Sequence, residues 1–301
     1  MKKTKIFFDE IEDIIDICYD NVFKAVFTRG TLPSRRALSK LISALIGRGV
    51  TVIAINANEP PIDNLGDRQL RFDINCRTKS GEYINVEMSL NPDSFEPVRL
   101  EFYAGKLFTI QDIKGIGKNY GDLKEAYQIT ILAKDRFFKD GKFFHRFEYY
   151  DPACGVSLNG KSRIITLELS KLEEIVEKPA GEMNAQEHWA IYFKYLTDKS
   201  KRRKINKIIE LNEGIAMTSK VLKNISKDEA ERFRLMSEYK YELDAQSKLV
   251  TAERKGMQKG MQKGLQKGIE KGMQKGEQKI IDLLKSGKSP EEILKDYEGD
   301  L

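Results

Sequence analysis

The stretch LRFDINCRTKSGEYINVEMSL, residues 70–90, alternates on both sides of a glycine-containing turn. Leu70, Phe72, Ile74 and Cys76 fall on one face, and Arg71, Asp73, Asn75 and Arg77 on the other. After Lys79-Ser80-Gly81 the pattern resumes: Ile84, Val86, Met88 and Leu90 are apolar, while Tyr83, Asn85, Glu87 and Ser89 are not. A period of two marks a half-buried strand. Two such runs around a three-residue loop, with Gly81 in the left-handed position, make an antiparallel hairpin. Centring the turn on Ser80 sets Asp73 directly opposite Glu87. Opposed residues in a hairpin have Cβ atoms about 4.5–5.5 Å apart, and like charges there are destabilising. A divalent cation would compensate, since Mg²⁺ is held by one or two carboxylates plus waters and substrate phosphate. The residues alone leave a second reading open, a solvated polar face on which Arg71 and Arg77 neutralise the acids. A one-residue slip of register would also undo the pairing.

Elsewhere the pattern predicts helices over 6–29 and 34–47, the second closed by Gly47 and Gly49. A β-branched strand follows at 50–56, then a polar loop at 57–69 and, after the hairpin, a helix over 96–114. Strands are expected at 126–133, at 143–150 after an Asp140-Gly141 hairpin turn, and at 163–169. Pro179 and Gly181 mark a boundary, and from about 186 onward every segment reads as helix. The order over 34–133 is therefore helix, three strands, helix, strand, which predicts an α/β class.

Several chemistries are excluded early. Cys18, Cys76 and Cys154 lie too far apart for a disulfide framework or a CxxC zinc site. His145 and His188 each stand alone in sequence, which argues against histidine-based metal or triad chemistry. Catalysis would have to run on carboxylates, amines and hydroxyls. The net charge of +6 is compatible with a polyanionic partner. No stretch approaches the roughly 18 apolar residues of a membrane span, and the start MKKTKIFFDE lacks a signal peptide's apolar run. The expected location is cytoplasmic, with no membrane partner.

The pairing of FDI (72–74) with NVEMS (85–89) resembles the PD-(D/E)xK nuclease signature, in which an Asp and a Glu on adjacent strands bind Mg²⁺. The closer resemblance is to the Rpn family of recombination-promoting nucleases, also described as PD-(D/E)xK family transposases. DNVFKAVF (20–27) is similar to that family's opening helix. Arg99 and Tyr103 match its basic-aromatic helix, Gly117 and Tyr120 its Gly-to-Tyr element, and ITLELSKL (165–172) a later strand. The resemblance spans roughly 18–175. It implies a restriction-endonuclease-like core, made of a helix, a three-strand meander, a helix and a strand, with extra strands and an all-helical C-terminal region. It further implies a Mg²⁺-dependent DNA endonuclease of recombination or transposase type, with Asp73 and Glu87 as metal ligands and Asp20 as a third acidic group. Ser89 stands where the superfamily has Lys and this family often Gln. Lys24 and Arg99, on matching helices, are the candidates to supply the missing charge. The alternative is a catalytically inactive relative that acts as a DNA-binding or protein-interaction module. The expected organisation is a nuclease-like domain over 1–178, a helical region over 179–254 and a repeat-bearing tail over 255–301.

That tail is an internal repeat, KGMQ-KGMQ-KGLQ-KGIE-KGMQ-KGEQ over 255–278. A period of four drifts about 40° per repeat on an α-helix, so Met257, Met261, Leu265, Ile269 and Met273 spiral and form no straight stripe. Each glycine costs on the order of 1 kcal/mol against alanine in a helix. The expected state is one long helix that weakens here. The arm reads first as a basic element holding DNA by its phosphates; a homo-oligomer through close helix–helix approach at the glycines is the competing reading. Gly287 should stop the helix, and Ser289-Pro290-Glu291-Glu292 should restart one through a capping box. KSKRRK (199–204) could track phosphates or be a solvated face, and the solvated face is the expectation. GIGKNYG (115–121) lacks the GK[ST] ending of a phosphate loop and reads as a surface loop. Phe143, Phe144, Phe147, Tyr149 and Tyr150 are expected to be strand and core aromatics.

Overall fold

In the computed structural model, residues 7–56, 71–111, 113, 117, 119–134 and 136–298 are described. The elements in chain order are α1 (Asp20–Phe27), α2 (Leu32–Ile46), β1 (Val52–Ile55), β2 (Ile74–Thr78), β3 (Tyr83–Ser89), α3 (Glu96–Thr109), β4 (Ala126–Leu132), β5 (Phe144–Phe147), β6 (Tyr150–Asp151), β7 (Val156–Ser157), β8 (Ser162–Glu168), α4 (Ala185–Tyr195), α5 (Arg202–Leu211), α6 (Glu213–Lys227), α7 (Glu229–Lys285) and α8 (Pro290–Glu298). The chain divides into two compact units, Met1–Tyr239 and Lys240–Leu301.

The first unit is built on a six-stranded mixed sheet of order β1-β2-β3-β4-β8-β5. β1, β2 and β3 form the antiparallel meander; β4 and β8 continue parallel to β3, and β5 closes the edge antiparallel to β8. Helices cover both faces. On one, α1, α2 and α4–α6 bury Ile74, Cys76, Ile84, Val86, Ile129, Ile131, Ile165 and Leu167 with Trp189 and Phe193. On the other lies α3, which explains why β3 and β4 are buried almost throughout although one face of each is polar. The architecture is the α/β core with a helical C-terminal region that the sequence predicts.

Local chemistry sets the boundaries. Thr31 caps α2 by accepting from the Ser34 N–H, and Gly47 ends it at φ 84°. Asn184 and Glu187 form a reciprocal capping box at the start of α4. Gly81 takes φ +95°, the left-handed turn conformation expected of it.

Four expectations need correction. Residues 7–19 are not helical; their backbone runs across α5 and α6, where Asn206 accepts from the Phe7 and Phe8 N–H groups and donates to the Phe8 carbonyl. Side chains thus meet the backbone's hydrogen-bonding needs that a helix would meet internally. The Asp140-Gly141 turn does not join β5 to β4, because β8 occupies that edge of β4 and β5 pairs with β8. Phe72 leaves the Ile74 face: the chain bends at Asp73, and Phe72 packs with Leu107 and Ala126 beneath α3. Leu70 lies outside the described residues. Finally, Phe147, Tyr149 and Tyr150 are exposed, and only Phe143 and Phe144 pack against the core.

The basic run at 199–204 is spent inside the unit. Arg202 is buried, donating to the Leu196 and Glu12 carbonyls, and Lys204 donates to the Val176 and Lys178 carbonyls. Lys199, Lys201 and Arg203 pair with Asp13, Glu177 and Glu10. Of GIGKNYG, residues 115, 116 and 118 lie outside the described residues; Asn119 caps a short 3₁₀ turn at Tyr120–Asp122.

In the second unit the repeat is helical throughout. Its apolar side chains Met257, Met261, Leu265, Ile269 and Met273 are exposed, and a Cβ placed on any glycine from Gly256 to Gly276 would meet nothing within 4 Å. Gly287 ends α7 at φ +92°. Ser289 and Glu292 form the expected capping box; Ile293 beyond it is buried and lines one apolar pocket with Ile280 and Leu284. No helix among the described residues is long and apolar enough to cross a membrane.

Candidate active site

The β2–β3 ladder pairs Ile74 with Val86, Asn75 with Asn85, Cys76 with Ile84 and Arg77 with Tyr83. That is the register expected from the turn, and its next step places Asp73 across from Glu87. Asp73 stands in the bend just before β2, held by the Met88 N–H, which donates to its Oδ2 at 3.2 Å. Glu87 is buried beneath α3. Its Oε1 accepts from Asn85 Nδ2 at 2.9 Å, and that amide also donates to Gln128 Oε1 on β4.

Two helices bring cations to this pair. From α1, Lys24 Nζ lies 2.6 Å from Asp20 Oδ2 and 3.0 Å from Asp73 Oδ1. The four-residue spacing of Asp20 and Lys24 puts both on one face of α1, beside the buried Val22, Phe23, Val26 and Phe27 that seat the helix. From α3, an Arg99 Nη is 2.7 Å from Glu96 Oε1 and 3.8 Å from Glu87 Oε2, with the guanidinium 5.8 Å from the Tyr103 ring centre.

These cations do not fully offset the cost of the acids. Burial, reinforced by the Asp73 charge, pushes the Glu87 carboxyl up to about 8. Burial and the Asp20 charge raise Asp73 to about 6 against the opposing pull of Lys24. Burial is the larger cause for both, so the strain arises chiefly from taking the carboxylates out of water and only secondly from their mutual repulsion. Asp20 Oδ1 is buried and has no hydrogen-bond partner among the described residues.

Of the residues expected at the site, Asp20, Lys24, Asp73, Glu87 and Arg99 converge. Ser89 stands at the end of β3, on the same face two residues beyond Glu87, and among the described residues its hydroxyl bonds neither carboxylate. Sequence reasoning missed Asn85, Gln128 and Glu96. Asn85 carried a signal, since the alternation already placed it on the Glu87 face; Gln128 and Glu96 join through tertiary contacts alone. Because β3, β4 and β8 run parallel, Glu87 lies near the carboxyl ends of the central strands, where open α/β sheets carry their sites.

A family model for PD-(D/E)XK nuclease family transposases matches residues 17–252, and so takes in α1, the acidic hairpin, α3 and the helices α4–α6. The chain belongs to this family. No curated protein and no solved structure matches it.

PD-(D/E)XK nucleases generally use divalent metal ions, and the donor set of this transposase-family chain can be tested for such an ion. Among the described residues no group of three or more His, Cys, Asp or Glu gathers closely enough to form a complete protein cage. A Mg²⁺ ion does not need one, because it keeps several waters and takes one or two carboxylates plus phosphate. Asp73 and Glu87 offer hard oxygen donors in a strained, buried pair, and Asp20 adds a buried oxygen that has no partner among the described residues. The residues fit a hard divalent cation.

Proposed function

We propose that the chain is a Mg²⁺-dependent DNA endonuclease of recombination or transposase type. The observation that carries this reading is the buried Asp73–Glu87 pair, both carboxyls raised, with the Lys24 ammonium 3.0 Å from Asp73. Asp73 and Glu87 hold the ion and Asp20 stands ready as a third oxygen donor. When bound, Mg²⁺ supplies a polarised phosphodiester and a water acidic enough to attack near neutral pH. Lys24 takes over the charge role that Ser89 leaves empty, and Arg99 offsets the negative charge that develops on the transferred phosphate. Asn85 and Gln128 fix the Glu87 carboxylate in place. In this assignment 1–178 is the nuclease-like domain and 179–254 the helical region; 255–301 is a tail whose spiralling lysines add non-specific DNA affinity, or through which two copies associate.

A second reading has its own support. Lys24 already pairs Asp20 with Asp73, and Arg99 faces Glu87, so the charges are partly answered without metal. Together with Ser89, this fits a relative that binds DNA or protein without cutting.

Nicking of supercoiled plasmid separates the two. Mg²⁺-dependent nicking by the wild type and none by Asp73→Ala supports the nuclease. Nicking that survives in Asp73→Ala and in Glu87→Ala places the chemistry elsewhere, and no nicking by the wild type favours the inactive reading.

A further inference from the structure

At the same end of the sheet lies a second charged cluster that the proposed chemistry does not use. Ser89, Leu132 and Glu168 are register partners at the carboxyl ends of β3, β4 and β8. Strand spacing of about 4.8 Å puts Glu168 roughly 10 Å from the end of β3, about three base-pair rises along a duplex. Glu168 is fully buried, and its Oε2 accepts from the Phe137 and Phe138 N–H groups in the β4–β5 loop. Its Oε1 takes the Lys171 ammonium at 2.8 Å, and Lys171, itself buried, reaches Asp140 Oδ1 at 3.1 Å. Asp140 also accepts from the Lys142 N–H, and its Oδ2 lies 2.8 Å from His145 Nε2. The Phe138 ring closes the cluster, 4.7 Å from the His145 ring and 5.8 Å from Lys171 Nζ.

Buried ion pairs are a costly way to stabilise a fold, and are best explained by the specific geometry they impose. This one fixes the backbone at residues 137, 138, 140 and 142. It turns Glu168 inward and ties the half-exposed Asp140 to Lys171, leaving Arg136, Lys139 and Lys142 exposed along the loop. Arg136 makes an exposed pair with Glu173, the kind worth little. Lys139 and Lys142 have no acidic partner among the described residues. Lys134 instead lends its charge to Asp16, and Asp135 lies outside the described residues.

We infer that the β4–β5 loop is a preorganised DNA-phosphate clamp: Arg136, Lys139 and Lys142 hold backbone phosphates flanking the one at Asp73 and Glu87, and Glu168 with Lys171 are the positioning residues that hold the loop in shape. The inference rests on the nuclease reading for the position of the scissile phosphate, but its test is independent of hydrolysis. Phosphate contacts steer register without reading bases, so the clamp binds without regard to sequence.

The test measures binding of the full-length protein to a short duplex as a function of salt, and separately KM and kcat for plasmid nicking. In Arg136→Ala/Lys139→Ala/Lys142→Ala, affinity should fall and the slope of log K against log salt should flatten by about 0.9 for each phosphate no longer neutralised, up to about 2.7; KM should rise with kcat retained. Glu168→Gln should give the same split, together with faster proteolysis within 133–143. Should Glu168→Gln fail to fold, Lys139→Glu/Lys142→Glu, which leaves the cluster intact, tests the same point. Unchanged affinity and slope in the surface variants, or a wild type with no salt-sensitive DNA binding, overturns the clamp. Asp73→Asn keeps the two readings apart: it should abolish nicking and leave affinity and slope near wild type. Clamp variants that lose affinity while Asp73→Asn still nicks would sink the proposed active site and keep the clamp.

Discussion

Two acidic pairs sit at one end of the same sheet, and the protein treats them in opposite ways. Glu168 and Asp140 are surrounded by donors: two backbone N–H groups, the Lys171 ammonium and the His145 ring. The hydrogen bond from His145, joined by that from Lys171, holds Asp140 down at about 2. Asp73 and Glu87 meet the Met88 N–H, the Asn85 amide, Lys24 and Arg99, yet burial still pushes both carboxyls up. A fold can satisfy an acidic pair with cations of its own, as it does at Glu168. That Asp73 and Glu87 stay raised even beside Lys24 and Arg99 supports the proposed cation from outside the chain. The satisfied pair shapes a loop, and the strained pair is where the chemistry is expected.

The sharpest way to break this contrast is truncation at the strained pair. Asp73→Ala or Glu87→Ala should lower the Mg²⁺-dependent nicking rate by roughly a hundredfold or more, yet leave the folded state intact or more stable at pH 8 by thermal melt. Truncation at the satisfied pair should do the reverse. Glu168→Ala leaves the Lys171 ammonium buried without its main partner, which costs about 3–5 kcal/mol, seen as a lower melting temperature and denaturant midpoint.

A smaller effect appears in the pH dependence of stability. The Asp73 and Glu87 carboxyls are raised on folding, so the folded protein binds more protons than the unfolded chain between their ordinary and folded values. Their contribution is fully present below about pH 4 and is lost as pH rises through about 6 and then 8. Metal-free wild type should therefore lose stability across that window, by on the order of a few kcal/mol, and Asp73→Asn/Glu87→Gln should flatten the loss. Asp140 predicts no such loss, since it is lowered and stays ionised there. Smallest of all, Ser89→Lys should place a cation beside the strained pair and raise nicking a few-fold in plasmid assays at fixed Mg²⁺.

Much of the strained pair was legible in the sequence. Strict alternation and one glycine turn fixed the Asp73–Glu87 register, and helical spacing put Asp20 next to Lys24. What alternation could not reveal was that α3 lies on the polar face. Asn85, Glu87 and Ser89 read as half-exposed positions, and their burial is what raises the carboxyl. Phe72 changed sides because the bend at Asp73 lets β2 start only at Ile74, whereas the alternation runs from Leu70. The satisfied pair was invisible for a different reason. Asp140, His145, Glu168 and Lys171 come from a loop and two strand ends that meet only because β5 pairs with β8, and the Asp140-Gly141 turn suggested the wrong neighbour. In the tail, local chemistry decided the outcome, so the Gly287 stop and the Ser289 capping box could be read directly.

The central claim, that Asp73 and Glu87 are strained for want of a divalent cation, is tested most directly by the melting temperature at pH 8 as Mg²⁺ is added. A ligand that binds only the folded state stabilises it by RT ln(1 + [L]/Kd). The account predicts that Mg²⁺ raises the melting temperature of the wild type in a saturable way and leaves that of Asp73→Asn/Glu87→Gln unmoved. An equal rise in both proteins, or none in the wild type at millimolar Mg²⁺, would contradict it.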